Sequence, residues 1–111
     1  MAPSLPGWVI KDAMSEYPGK AEFEAVVGSE FIMELGEGLA TPVSLKQCQT
    51  RLDTPVQECF SLLFLAPDST PPIQAVRQLK HAVLGEMTLF LVPIKRDAAG
   101  LHLEAVFNLL R

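Results

Sequence analysis

The chain is short of the residues on which most enzyme and metal chemistry depends. It holds 2 cysteines and 2 histidines in 111 residues. Cys48 and Cys59 have no CxxC spacing, so a zinc site, a thioredoxin-like centre and a disulfide scaffold all lack their usual basis. Reduced thiols are the expectation, as in the cytosol. Basic charge is also scarce, with 9 Lys and Arg against 13 Asp and Glu and a net charge of -4. A nucleic-acid surface needs clustered cations, and here they are scattered; the densest pair, Lys95-Arg96, reads as a solvated turn. No apolar run approaches the roughly 20 residues that span a bilayer, and no basic segment leads into a hydrophobic one at the start. GxSxG, HExxH, Walker and GxGxxG patterns are absent. These absences predict a soluble, cytoplasmic protein with no nucleic-acid and no membrane partner.

Apolar residues are plentiful at 49%, with 20% charged, enough to bury a core in one domain. Residues 1–20 read as an N-terminal arm, because Pro3, Pro6-Gly7 and Pro18-Gly19 bracket Trp8 to Tyr17, a segment with room for one or two helical turns. Trp8, Val9 and Ile10 are apolar enough to predict packing on the same domain or on a neighbouring subunit. Residues 21–111 read as a single β-dominated domain. Phe23, Val26 and Val27 share one face of a short helix over Lys20 to Val27, followed by Gly28 at a left-handed cap position.

From Glu30 onward the apolar period is two, the spacing of strands. Six segments follow: Glu30 to Leu35, Pro42 to Leu52, Val56 to Ala66, Gln74 to Lys80, Glu86 to Ile94 and Leu101 to Leu110. Gly36-Glu37-Gly38 reads as a hairpin turn, since no βαβ context supports a phosphate cradle. Pro67 to Pro72 is a surface crossover, because its prolines remove donors and fix φ. Gln74 to Leu84 also fits a helix, but Val76 and Leu79 make a poor helical stripe and Pro71-Pro72 favours extended entry. The predicted fold is therefore mainly β: about six mostly antiparallel strands in a small barrel-like or sandwich domain, with one or two short N-terminal helices.

Three of these strands are apolar on both faces. Phe60, Leu62 and Phe64 oppose Leu63 and Leu65; Leu89 and Leu91 oppose Phe90, Val92 and Ile94; Leu103, Ala105, Phe107 and Leu109 oppose Val106 and Leu110. Phe31, Phe60, Phe64, Leu89, Phe90, Leu91, Val106 and Phe107 are the predicted core. Strands of this kind need cover on both faces, and the short helices cannot supply all of it. A homo-oligomer or contact with other protein subunits is expected, with a self-covered monomer as the alternative.

Phe60-Ser-Leu-Leu-Phe64 with Pro67, then His81, Leu84-Gly85 and Leu89-Phe-Leu-Val-Pro93, then Glu104-Ala-Val-Phe-Asn108, together with Phe23, Gly28 and Phe31, carry a resemblance. Over residues 21 to 109 the chain resembles a small bacterial β-domain family of unknown function with the pattern FSLxF, HxxLGxxxLFLVP and EAxFN. The family resembles products found beside phage-tail and tail-collar-like genes, which implies a structural or assembly role. It supplies no catalytic residues. The longer arm and the Pro-rich loop depart from its pattern.

The reactive side chains do not converge by spacing. His81 sits at a turn, and His102 shares a strand face with Glu104, which supplies two ligands and no more. Glu86 and Glu104 could support a metal only if two hairpins folded onto each other. A hairpin centred between Asp53 and Thr54 predicts Cys48 directly opposite Cys59, as two buried thiols with Lys46 and Arg51 the local cations. No catalytic, cofactor-binding or metal-binding residue is assigned, and no cofactor is expected. The expected function is that of a non-enzymatic structural or assembly protein acting through protein contacts, in a phage-tail-like setting. The alternative is a β-barrel module binding a small molecule or peptide.

Overall fold

The computed structural model describes residues 18–110; the expected arm contacts of Trp8, Val9 and Ile10 fall outside them. A short helix, α1 (Lys20–Ala25), precedes six strands: β1 (Glu30–Gly36), β2 (Leu39–Thr54), β3 (Gln57–Ala66), β4 (Ala75–His81), β5 (Gly85–Asp97) and β6 (Gly100–Leu110). All neighbours are antiparallel. They close in the order β1-β2-β3-β6-β5-β4, so the fold is a barrel rather than a sandwich. Gln74 to Leu84 resolves as strand β4 and a turn, in line with the extended entry set by the prolines.

Local chemistry accounts for the turns. Glu37 and Gly38 link β1 to β2 with φ of 55° and 79°, the two positive values of the hairpin turn that matches strand twist. Thr54 Oγ1 accepts from the Val56 and Gln57 amides at 3.3 and 3.0 Å, which makes Pro55-Val56 the turn between β2 and β3. Asp97 Oδ1 accepts from the Ala99 amide at 2.9 Å and shapes the β5–β6 turn.

A six-stranded barrel is narrow, so its interior is filled by side chains. Phe31, Phe60, Phe64, Leu89, Leu91 and Phe107 of the predicted core are buried there, with Met33, Leu45, Leu62 and Leu79. Phe60 and Phe107, partners across β3 and β6, stack with ring centroids 4.8 Å apart. Phe23 of α1 reaches this pair, 5.5 Å from the Phe107 ring, and so the helix plugs one end of the barrel. Six residues are too few to hold a helix by themselves. Burial of Phe23, and the Gly19 amide donating to Glu22 Oε1 at 2.8 Å, fix it in place.

Single extra residues at Leu35 in β1, Lys46 and Arg51 in β2 and Ile94 in β5 interrupt the ladders. Such bulges bend strands and increase their twist, which closing a small barrel requires.

Three sequence expectations are corrected by this geometry. Phe90 and Val106 are not core; they are 41% and 46% exposed because they sit on the convex outer wall. Cys48 and Cys59 are not opposite: the turn lies two residues beyond the expected centre, so Cys59 faces Leu52, and past the Arg51 bulge Cys48 faces Leu62. Lys95-Arg96 is solvent-exposed as expected but is not a turn, since β5 runs on to Asp97. Arg96 instead donates to the Thr70 carbonyl at 2.8 Å and pairs with Asp68, pinning the Pro-rich crossover to the barrel end opposite α1.

Candidate functional site

Two of the bulges frame a groove on the outer wall. A bulge re-aims the side chain it inserts. At Arg51 this sends the guanidinium across β3: Nε donates to Ser61 Oγ at 3.1 Å and Nη2 to Glu104 Oε2 on β6 at 2.8 Å. At Ile94 it turns an aliphatic side chain toward the same surface from β5. Between them lies an open groove of about 190 Å³ lined by Gln47, Gln49, Ser61, Leu63, Ile94 and Glu104. Its floor is apolar, through Leu63 and Ile94. Its walls are polar, and Ser61 is only 4% exposed, a buried hydroxyl satisfied by Arg51.

A family model described as a domain of unknown function, DUF6916, matches residues 18–107. The chain belongs to the DUF6916 family. No curated protein and no solved structure matches it. The DUF6916 match opens just before α1 and closes in β6, so it takes in the whole groove. A family of unknown function is also what the sequence resemblance implied.

The titratable residues of this DUF6916 domain are dispersed. His81 closes the β4–β5 hairpin: its Nδ1 accepts from the Val83 and Leu84 amides at 3.0 and 3.2 Å, and its Nε2 lies 2.8 Å from Ser29 Oγ. Nδ1 is thus the accepting nitrogen and Nε2 the donor, while the Ser29 hydroxyl donates its own hydrogen bond to the Val26 carbonyl. The ring also packs against Phe31, 4.4 Å between centroids. These bonds occupy His81 in tying α1's exit to the barrel. His102 lies at the other end, where its Nε2 is 3.0 Å from Asp97. It does not pair with Glu104, which turns to Arg51. Hydrogen bonding from His102, and from the Ala99 amide, holds the Asp97 carboxyl below its ordinary range.

Glu86 stays with Gln78 and Lys80 on the β4–β5 hairpin, far in the ladder from Glu104. Cys48 packs against the core beneath α1, and burial, with Glu24 nearby, pushes its thiol pKa up, which disfavours the reactive thiolate. Alternation along β3 puts Cys59 on the outer face with Ser61, so the two thiols lie on opposite faces of the sheet. Among the described residues no group of three or more His, Cys, Asp and Glu is placed to hold a metal ion.

The groove escaped the sequence reading, in which Arg51 figured only as a cation near a cysteine. One signal was present: Ser61 is a lone hydroxyl inside the apolar run Phe60 to Leu65. A buried hydroxyl in such a run requires a polar partner from another strand.

Proposed function

We propose that this DUF6916 protein is a non-enzymatic structural or assembly protein that works through protein contacts made by the outer wall of its barrel. The observation that carries this reading is where the unburied apolar side chains fall. Val76 on β4 pairs with Phe90 on β5, Val106 on β6 pairs with Ser61 of the groove lining, Ile94 lines the groove itself, and all four apolar side chains are exposed. Exposed apolar residues scattered singly need no explanation, but exposed apolar side chains on the adjacent strands β4, β5 and β6, next to polar groove residues, have the make-up of a contact surface. The competing reading, a small molecule or peptide bound at a barrel mouth or an exposed sheet edge, is opposed by an interior filled with aromatic and aliphatic side chains and by a sheet that closes on itself.

The finer setting is part of the same proposal. A tail-like assembly is what the sequence resemblance implies, and a reducing cytoplasm suits Cys48 and Cys59, which stand as free thiols. The partner proposed first is a second copy of the chain. Light scattering tests it: wild type runs above the 12.1 kDa of one chain at micromolar concentration, and Val106→Asp or Phe90→Asp returns it to the monomer with its melting temperature unchanged. A wild type that stays monomeric across that range removes the reading.

A further inference from the structure

The sheet closes on itself, but β5 and β6 meet along only part of their length. β6 pairs with β3 as far as Leu110 and with β5 only as far as Glu104, which faces Val92. The β5–β6 hairpin tells which backbone groups point to the β5 side. Ala98-Ala99 is a two-residue turn closed by the pair Asp97 and Gly100, a pair that exchanges hydrogen bonds and from which the pattern alternates. Gly100, His102 and Glu104 therefore turn their N–H and C=O groups to β5, and Leu101 and Leu103 turn theirs to β3. Pro93, opposite Leu103, agrees with this because it has no N–H to give. The same alternation aims Val106, Asn108 and Leu110 at the β5 side, and among the described residues no strand meets them there. Their side chains lie on the outer face and are exposed.

An open edge accepts an extended strand, which presents N–H and C=O groups at the matching repeat. Charges, prolines and bulges are what keep such edges from pairing. Where β2 runs past β1 it has Lys46, Arg51, Asp53 and two bulges, and where β5 parts from β6 it has Glu86. Residues 105–110 of β6 have no charge, no proline and no bulge. This edge is also complementary to itself. Turned antiparallel about Asn108, a second β6 sets Asn108 opposite Asn108 and Val106 opposite Leu110. All three residues then exchange both N–H···O bonds, and the exposed Val106 and Leu110 side chains cover each other. An axis at Phe107 would instead set Leu110 against Glu104, which Val92 already occupies.

We propose that β6 pairs antiparallel with β6 of a second copy through Val106, Asn108 and Leu110, continuing the β2-β3-β6 sheet across a two-fold axis at Asn108. This rests on the reading that the chain associates with a second copy, and names where the copies join.

The test uses the full chain, with light scattering and amide hydrogen exchange as readouts. Exchange at Val106, Asn108 and Leu110 slows as concentration rises through the dimerisation range. Asn108→Lys and Asn108→Glu each set like charges against each other on the axis and weaken the dimer by about fivefold, and an equimolar mixture of the two restores it. Asn108→Pro removes an N–H that faces the edge and not β3, and weakens the dimer by about tenfold. The charge variants carry the test if the proline variant does not fold. A mixture no tighter than either charge variant alone overturns the proposal, and if Phe90→Asp still disperses the wild type, the outer-wall reading stands without the edge. A monomer whose edge amides exchange slowly at every concentration also overturns it and assigns the edge to the same chain. A dimer restored in the mixture and untouched by Phe90→Asp keeps the edge and removes the wall as the contact.

Discussion

Val106 and Phe107 are neighbours in β6, both apolar, yet the first is 46% exposed and the second 5%. The same contrast holds between Phe90 and Leu91 in β5, at 41% and 1%. What separates the inner surface from the outer one is curvature. A closed sheet gathers its concave side chains into contact with one another and spreads its convex ones apart. Apolar residues on the inside therefore stabilise the fold, whereas those on the outside are left for whatever meets the wall.

Truncation sharpens this comparison most. Phe64→Ala or Phe107→Ala removes a ring from the filled interior and is expected to cost about 3–5 kcal/mol. Val106→Ala on the outer wall is expected to stay within about 0.5 kcal/mol of wild type. Urea denaturation of the monomeric forms measures both. Equal losses on the two surfaces would mean that the wall is as buried as the core, and the division would collapse.

Backbone closure comes next in size. Gly100 has φ of 139°, and a Cβ placed there would stand 2.2 Å from the Ala66 carbonyl oxygen, where β6 begins beside the end of β3. Gly100→Ala is expected to destabilise by about 2 kcal/mol, while Gly36→Ala, where a Cβ meets nothing within 4 Å, carries the positive-φ strain alone. A larger loss for Gly36→Ala would contradict the close approach at the crossover end.

His81→Phe keeps a ring against Phe31 but gives up the acceptor for the Val83 and Leu84 amides and the partner of Ser29. It is expected to cost about 1–2 kcal/mol, with faster amide exchange at Val83 and Leu84. Unchanged exchange there would remove His81 from its place in the hairpin.

Acid dependence is the smallest effect, and it belongs to the outer surface. The folded pKa of Asp97 lies below its unfolded value. Its contribution is therefore complete above the ordinary carboxylate range and disappears as pH falls through the lowered folded value. Asp97→Asn is expected to flatten that acid limb of the stability curve slightly, and a fully retained limb would assign it to other carboxylates.

Strand positions were legible in the sequence because period-two alternation and turn residues are local features. Gly36-Glu37-Gly38, the Pro-rich crossover, the strand choice for Ala75–His81 and the burial of Phe31, Phe60, Phe64 and Phe107 could all be read from neighbours along the chain. The reading failed where partners lie far apart in sequence. A bulge carries no distinct composition, so Lys46, Arg51 and Ile94 looked like ordinary strand residues. The position of the β2–β3 turn, two residues beyond the expected centre, separated Cys48 from Cys59, and the bulge at Arg51 brought its side chain to Ser61 and Glu104.

By itself the sequence determined the strands, most of the turns and the amount of apolar surface to be buried, since dihedral preference and alternation act over a few residues. Tertiary structure alone decided which apolar face is inside. A two-faced strand such as Gly85–Asp97 contains no information about curvature, and the choice between Leu91 and Phe90 exists only once six strands close on one another and α1 plugs the end. The groove has the same origin: its walls come from β2, β3, β5 and β6, and their meeting depends on the bulges that allow the barrel to close.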